Sequence, residues 1–357
     1  MSKALFEYTP IRDMKEEPVF LKPTEGEIDN NITSVSGGRK LFPASVYKDG
    51  IIAVITAEKG VKLSLAAENA PIFGAPEIIV DSDNKKAEVM IQGSHFSDYV
   101  FDQTINKPYF GKIVDNAGNS FTRLDFETKE HPHHRSLFIA VGSVNGVDCW
   151  NEYTDHGYIR NESITDVLSN TAYATFTANN RWTDHSGAPL IHESTKYTVY
   201  NQSDECRTLD LEITFTAKYG KVTFGATKEA GPLGIRMRDD LRVDIGHGIL
   251  ENSWGGIGES ECWSRSAEWC DYHGILEGIG TMGITVFDCA LNERYPTAWH
   301  IRNYGLFAAN NLYFKGGFDI EEGSSITYKY RILFRRRPMD HSEISDRYVM
   351  YTINPVI

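Results

Sequence analysis

The sequence predicts a nearly all-β protein built from two large antiparallel sheets packed face to face. Three observations carry this prediction. Short runs of alternating or β-branched residues recur along most of the chain, at a spacing of two. Gly, Asn and Asp turn residues separate these runs. No long segment repeats its apolar residues at the helical period. Large β-sandwiches of this length commonly fold as one unit.

Taken in order, residues 1–45 are polar and irregular and predict an N-terminal arm lying across the body. Residues 46–357 predict a single sandwich domain, in which 46–97 form either a first sheet layer or a small subdomain. Strands are expected at 50–56, 61–65, 77–80 and 87–91. The run Asp115-Asn116-Ala117-Gly118-Asn119 predicts a hairpin turn between 110–114 and 121–124. Residues 137–141 (Leu-Phe-Ile-Ala-Val) are uniformly apolar, as in a strand buried on both faces. Further strands are expected at 172–177, 194–200, 208–215 and 325–334. Residues 340–348 are the best helix candidate.

Composition excludes several classes of function. A formal charge of −13 over 357 residues is spread along the chain, without the basic stripe that nucleic acid or an anionic membrane surface would need. No run approaches the ~18 apolar residues of a membrane span. The N-terminus lacks the apolar core of a secretory signal. Five cysteines (149, 206, 262, 270 and 289) show no C-x-x-C pair and predict reduced, mostly buried thiols. These features predict a soluble, cytoplasmic protein. Oligomeric state is not legible. The P-loop, the dinucleotide-binding glycine turn and the G-x-S-x-G elbow are all absent.

Four motifs could carry chemistry. The first is His131-Pro132-His133-His134-Arg135-Ser136, directly before the buried strand. If extended, it places His131 and His133 on one side and His134 on the other. A metal-free acid–base or anion-binding site, a divalent metal site and a structural cluster are three readings of it. The metal-free site is preferred, and no cofactor is expected. Arg135 could hold a carboxylate or polarise a carbonyl. The second motif, Asn145-Gly-Val-Asp148-Cys-Trp150-Asn151-Glu152, starts with a tight turn that returns the chain beside the histidines. Trp150 could stack on a sugar, with Asp148 or Asn151 bonding its hydroxyls.

The third motif runs from Lys228-Glu229 through Arg236 to Arg238. Glu229 is a candidate general base, because desolvation can tune a carboxylate toward neutral pH. The fourth is Trp299-His300-Ile301-Arg302-Asn303-Tyr304-Gly305. Here His300 and Arg302 share one strand face, suited to proton transfer and to holding an oxyanion. Trp182, His185, Glu193, Trp254, Trp263 and Trp269 are further candidates to line a cleft.

In this order, and with Asn292-x-Arg294-x-Pro296, the motifs resemble the PmoA-like bacterial family over roughly residues 97–334. The methane-oxygenase label of that family finds no copper set or membrane span here. The resemblance implies a galactose-mutarotase-like β-supersandwich, a fold used on sugars. One departure is that Phe287-Asp288 precedes Cys289-Ala290, where the family pattern has His-Pro. The implied function is carbohydrate processing by His/Glu acid–base chemistry with arginine stabilisation of negative charge. The reaction is then mutarotation, epimerisation, or elimination-type cleavage of a keto-glycoside. His133, His134, Glu229, His300, Arg135, Arg236 and Arg302 are the expected catalytic set. His131, Asp148, Trp150, Asn151 and Trp299 are the expected substrate contacts, and a sugar or glycoside is the expected partner. A non-catalytic carbohydrate-binding protein is the alternative.

Overall fold

A computed structural model describes residues 3–124 and 130–354. It contains two eight-stranded sheets and a six-stranded sheet, all with antiparallel neighbours, plus a two-stranded ribbon. One eight-stranded sheet runs, edge to edge, Trp299–Ile301, Leu306–Asn310, Ala230–Arg236, Leu137–Val141, Tyr109–Phe110, Ser94–Val100, Lys86–Ile91 and Glu77–Asp81. The other runs from Tyr158–Ser169 through Tyr173–Thr183, Pro189–Tyr200, Cys206–Thr216, Ser325–Arg335, Gly280–Asp288 and Trp269–Leu276 to Gly248–Asn252. One continuous apolar core joins these two sheets. Phe96 meets Phe334 edge-on at 5.4 Å across the interface, and Phe110 meets Tyr197 at 5.0 Å. Such aromatic pairs bury large areas and fix how the layers sit.

The turns read from the sequence are present. Asp115 N–H donates to Asn119 C=O at 3.0 Å, and Gly118 takes the positive φ the turn requires. Asn145 and Gly146 both have positive φ, and Val144 pairs with Val147 across them. That is the two-residue hairpin turn whose twist suits adjoining strands. The expected helix begins where its cap predicts and runs farther, over His341–Ile353. The Asp340 carboxylate accepts from Glu343 N–H at 2.8 Å. All five cysteines are unbridged, and four are buried.

Residues 1–45 depart from the irregular arm expected of them. They form strands Leu5–Tyr8, Met14–Leu21, Ser34–Gly37 and Lys40–Tyr47, which join Gly50–Ala57 and Leu63–Glu68 in the six-stranded sheet. Phe6, Val19, Val35, Ile51, Ile55 and Leu65 form a separate apolar cluster there, together with Met350 of the C-terminal helix. The signal was weak because these strands are short and bury only part of their side chains. Polar residues on the exposed positions dominate such a segment when it is read alone.

Candidate functional site

The topology brings four distant motifs to one end of one sheet. Leu137 pairs with Ile235, Arg236 with Leu306, and Ile301 with Phe307. The entrance to Leu137–Val141 therefore lies beside the exit from Ala230–Arg236, the entrance to Leu306–Asn310 and the exit from Trp299–Ile301. His131–Arg135, Arg236, Tyr304 and Arg302 occupy these four ends.

The histidine segment is a turn, where an extended strand was expected. His131 has φ +50°, and His134 N–H donates to His131 C=O at 3.0 Å. The turn gathers all three imidazoles, with ring centroids 4.4 Å apart for His133–His134, 4.9 Å for His131–His134 and 5.9 Å for His131–His133. Ser136 anchors it by donating its buried hydroxyl to Gly111 C=O at 2.6 Å. Tyr304 stacks on His131 at 4.9 Å, with the planes within 2°. The guanidinium carbons of Arg236 and Arg302 lie 5.0 and 5.4 Å from the Tyr304 ring centre. Tyr304 thus joins the histidine turn to the fourth motif, where Trp263 Nε1–H donates to His300 Nδ1 at 2.9 Å.

The sheet beneath is built of small residues. Gly234 pairs with Phe138 on one side and Ala308 on the other, and Ala308 pairs with His300. A Cβ at Gly234 would sit 2.7 Å from the Phe138 ring and 3.0 Å from the Trp150 indole, so the indole closes onto bare backbone here. Trp150 and Trp299 are fully buried, which corrects their expected role as sugar-stacking platforms. Trp299 points to the core face opposite His300 and donates to Ala267 C=O at 2.9 Å. The aromatic residues with exposed surface in this region are Tyr304, Trp263 and Tyr153. Trp182 and Trp269 are core residues, Trp182 donates to buried Glu193 at 3.0 Å, and Trp254 and His185 are exposed.

Several expected polar contacts are committed elsewhere. Asp148 accepts from Trp150 N–H, Asn151 N–H and the Asn151 amide at 2.8–2.9 Å, so both residues serve their own turn. Arg135 is buried and makes a two-pronged pair with Glu152, at 3.0 and 2.6 Å. Glu152 also meets Lys107 at 3.1 Å and the Asn106 amide at 2.7 Å. Burial pushes the Glu152 carboxyl up, but Lys107 and Arg135 outweigh it and hold the group at about 2. Arg135, expected in the catalytic set, is thus held in a buried ion pair. Glu229, the expected base, is half-exposed and lies beside Lys228 at 3.5 Å. Arg302 meets Glu259 at 2.9 Å. Arg236 is fully buried and donates through Nη2 to Glu130 at 3.2 Å. Its Nε and Nη1 have no hydrogen-bonding partner among the described residues.

Lys107 and Glu130 were missed in the sequence, and Tyr304 lay within the fourth motif without a role of its own. Lys107 is 1% exposed and donates to Trp150 C=O at 2.6 Å. Burial lowers its ammonium to about 8, against the opposing pull of Glu152. Burial also keeps the imidazoles neutral. It lowers His133 to about 4, with help from Lys107, and His300 to about 3, with help from Arg302 and Lys228. His134 is driven well below its ordinary value by burial, His133 and Arg236.

A pH dependence of stability follows. An unfolded histidine takes up a proton near 6.5, whereas buried His133 and His300 resist until about 4 and about 3. Their contribution is complete above pH 6.5 and is lost as pH falls toward those folded values. Each costs about 1.4 kcal/mol per pH unit once the unfolded form is protonated. Urea unfolding at pH 7, 6 and 5 is expected to show stability falling with acid; a flat profile would contradict the burial.

The three histidines do not offer converging ligand atoms. Among the described residues, the group that does is Glu88, His95 and Asp98, on another hairpin, where Asp98 already pairs with Lys86 at 3.3 Å. No helix of the described residues is long and apolar enough to cross a membrane.

Fold and site together define a β-sandwich protein with a buried imidazole–arginine centre at one sheet end. Residues 86–348 match a family of unknown function, DUF6807, and the chain belongs to that family. The PmoA-like likeness rests on its motifs alone. No curated protein matches the chain. Among solved structures, galactose 1-epimerase from Lactobacillus acidophilus NCFM is similar over 72% of this chain and 96% of that one, at 8% identity and a TM-score of 0.34.

Proposed function

We propose that this centre is the active site of a carbohydrate-processing enzyme that moves a proton on a sugar. The observation that carries the reading is His133. It is 4% exposed and neutral at pH 7, and neither ring nitrogen has a hydrogen-bonding partner among the described residues. An imidazole kept neutral and unengaged is available to take a proton. Its substrate proton is on an anomeric hydroxyl, or on a carbon beside a ketone. As negative charge builds on the sugar oxygen, the low value of His133 rises to meet it. Arg236 and Arg302, flanking Tyr304, hold that charge. Half-exposed Tyr304 and Trp263, with exposed Tyr153, replace Trp150 and Trp299 as faces for the sugar ring. Mutarotation, epimerisation and elimination from a keto-glycoside share this first step. Glu229 has no part in it.

The test is a panel of sugars, keto-sugars and glycosides followed by NMR, which reports anomer exchange, epimerisation and cleavage separately. Acceleration of one of these, unchanged by a chelator, is expected. A sugar that binds without any accelerated reaction would establish the alternative, a carbohydrate-binding protein. A stoichiometric metal required for turnover would overturn the metal-free scheme.

A further inference from the structure

We propose that Trp150 and Trp263 are positioning residues that hold His134 and His300 in opposite tautomers, so that each imidazole offers a hydrogen-bond donor to a substrate oxygen. An indole N–H can only donate. Trp150 Nε1 lies 3.4 Å from His134 Nε2, which must therefore be the acceptor nitrogen. In a neutral ring the proton is then on Nδ1. That Nδ1 is buried and has no partner among the described residues. Trp263 Nε1 donates to His300 Nδ1 at 2.9 Å, which places the His300 proton on Nε2. Nε2 of His300 has no partner among the described residues. The two rings are thus fixed in opposite senses by the same device.

Both indoles are themselves held. Trp150 accepts from Lys107 through its carbonyl, donates its backbone N–H to Asp148, and packs on Phe138 at 4.9 Å. Trp263 packs edge-on against Phe314 at 5.2 Å and beneath the Arg302 guanidinium at 5.8 Å. A buried donor left unpaired costs free energy that an incoming acceptor recovers. His134 Nδ1–H and the two unpaired nitrogens of Arg236 are in that state together. The matching ligand group is a carbonyl oxygen that gains charge during reaction. That ligand assignment rests on the proposed function; the tautomers do not.

Long-range ¹H–¹⁵N NMR of the full chain labelled at histidine nitrogen reads the tautomers without any substrate. At pH 7, His134 is expected as Nδ1–H and His300 as Nε2–H, each as a single form. Trp263→Phe is expected to move only His300 toward a mixture, and Trp150→Phe only His134. The opposite wild-type tautomers, a doubly protonated ring, or unchanged forms in the variants would overturn the proposal. Should Trp150→Phe not fold, the wild-type spectrum and Trp263→Phe, whose indole is only half-buried, still decide it. Tautomers as expected in a protein that turns over no sugar would overturn the function and leave the lock standing.

Discussion

Replacing His133 by alanine is expected to lower turnover about 10²–10⁴-fold while sugar affinity changes little. The expectation comes from the isolation of this ring. Its neighbours are the imidazoles of His131 and His134 and the exposed Tyr153, with ring centroids at 4.4–6.0 Å. Among the described residues no backbone group depends on it for a hydrogen bond, so its removal leaves the turn in place. The turn is held instead by Ser136 and by the His134–His131 backbone bond. Parallel measurement of steady-state rate and of sugar binding by calorimetry separates the two effects. Unchanged turnover would remove His133 from the chemistry, and equal loss of both would make it a binding residue.

Replacing Asp210 by alanine is expected to cost about 3–5 kcal/mol of stability, because it strands a buried arginine. Asp210 and Arg331 face each other on paired strands of the second sheet. Arg331 donates through Nε and Nη2 to the two carboxylate oxygens, both at 2.7 Å, and Tyr200 adds its hydroxyl at 2.5 Å. Both charged groups are buried. The same guanidinium lies 4.9 Å from the Tyr351 ring of the C-terminal helix, so the loss reaches that helix as well. Urea unfolding reads the change directly as a lower midpoint. A loss below about 1 kcal/mol would show that water enters and screens the pair.

The sheets were legible because their signal is local. Period-two alternation and the turn residues at 115–119 and 145–146 survive in any environment. The site was legible only as motifs. His133, His134, His300 and Arg236 lie in separate motifs of the sequence, and only the strand pairing shows that these motifs meet at one sheet end. The partners that decide each role come from far along the chain. Glu152 neutralises Arg135 from 17 residues away, and Lys107 reaches Trp150 from 43. Lys107 stands alone in an ordinary segment, and its burial becomes visible only when the strands assemble. Trp150 and Trp299 illustrate the converse. An aromatic residue reads alike whether it paves a surface or fills a core, and the pairing with Gly234 and the core face of Trp299–Ile301 chose the core.

The sheet end holds a set of histidines kept neutral by burial. Titrating the individual histidines by NMR from pH 8 downward tests it most directly. His133 is expected to protonate at about 4 and His300 at about 3. Titration of His133 and His300 together near 6.5 would mean that water reaches both rings, and would contradict the account.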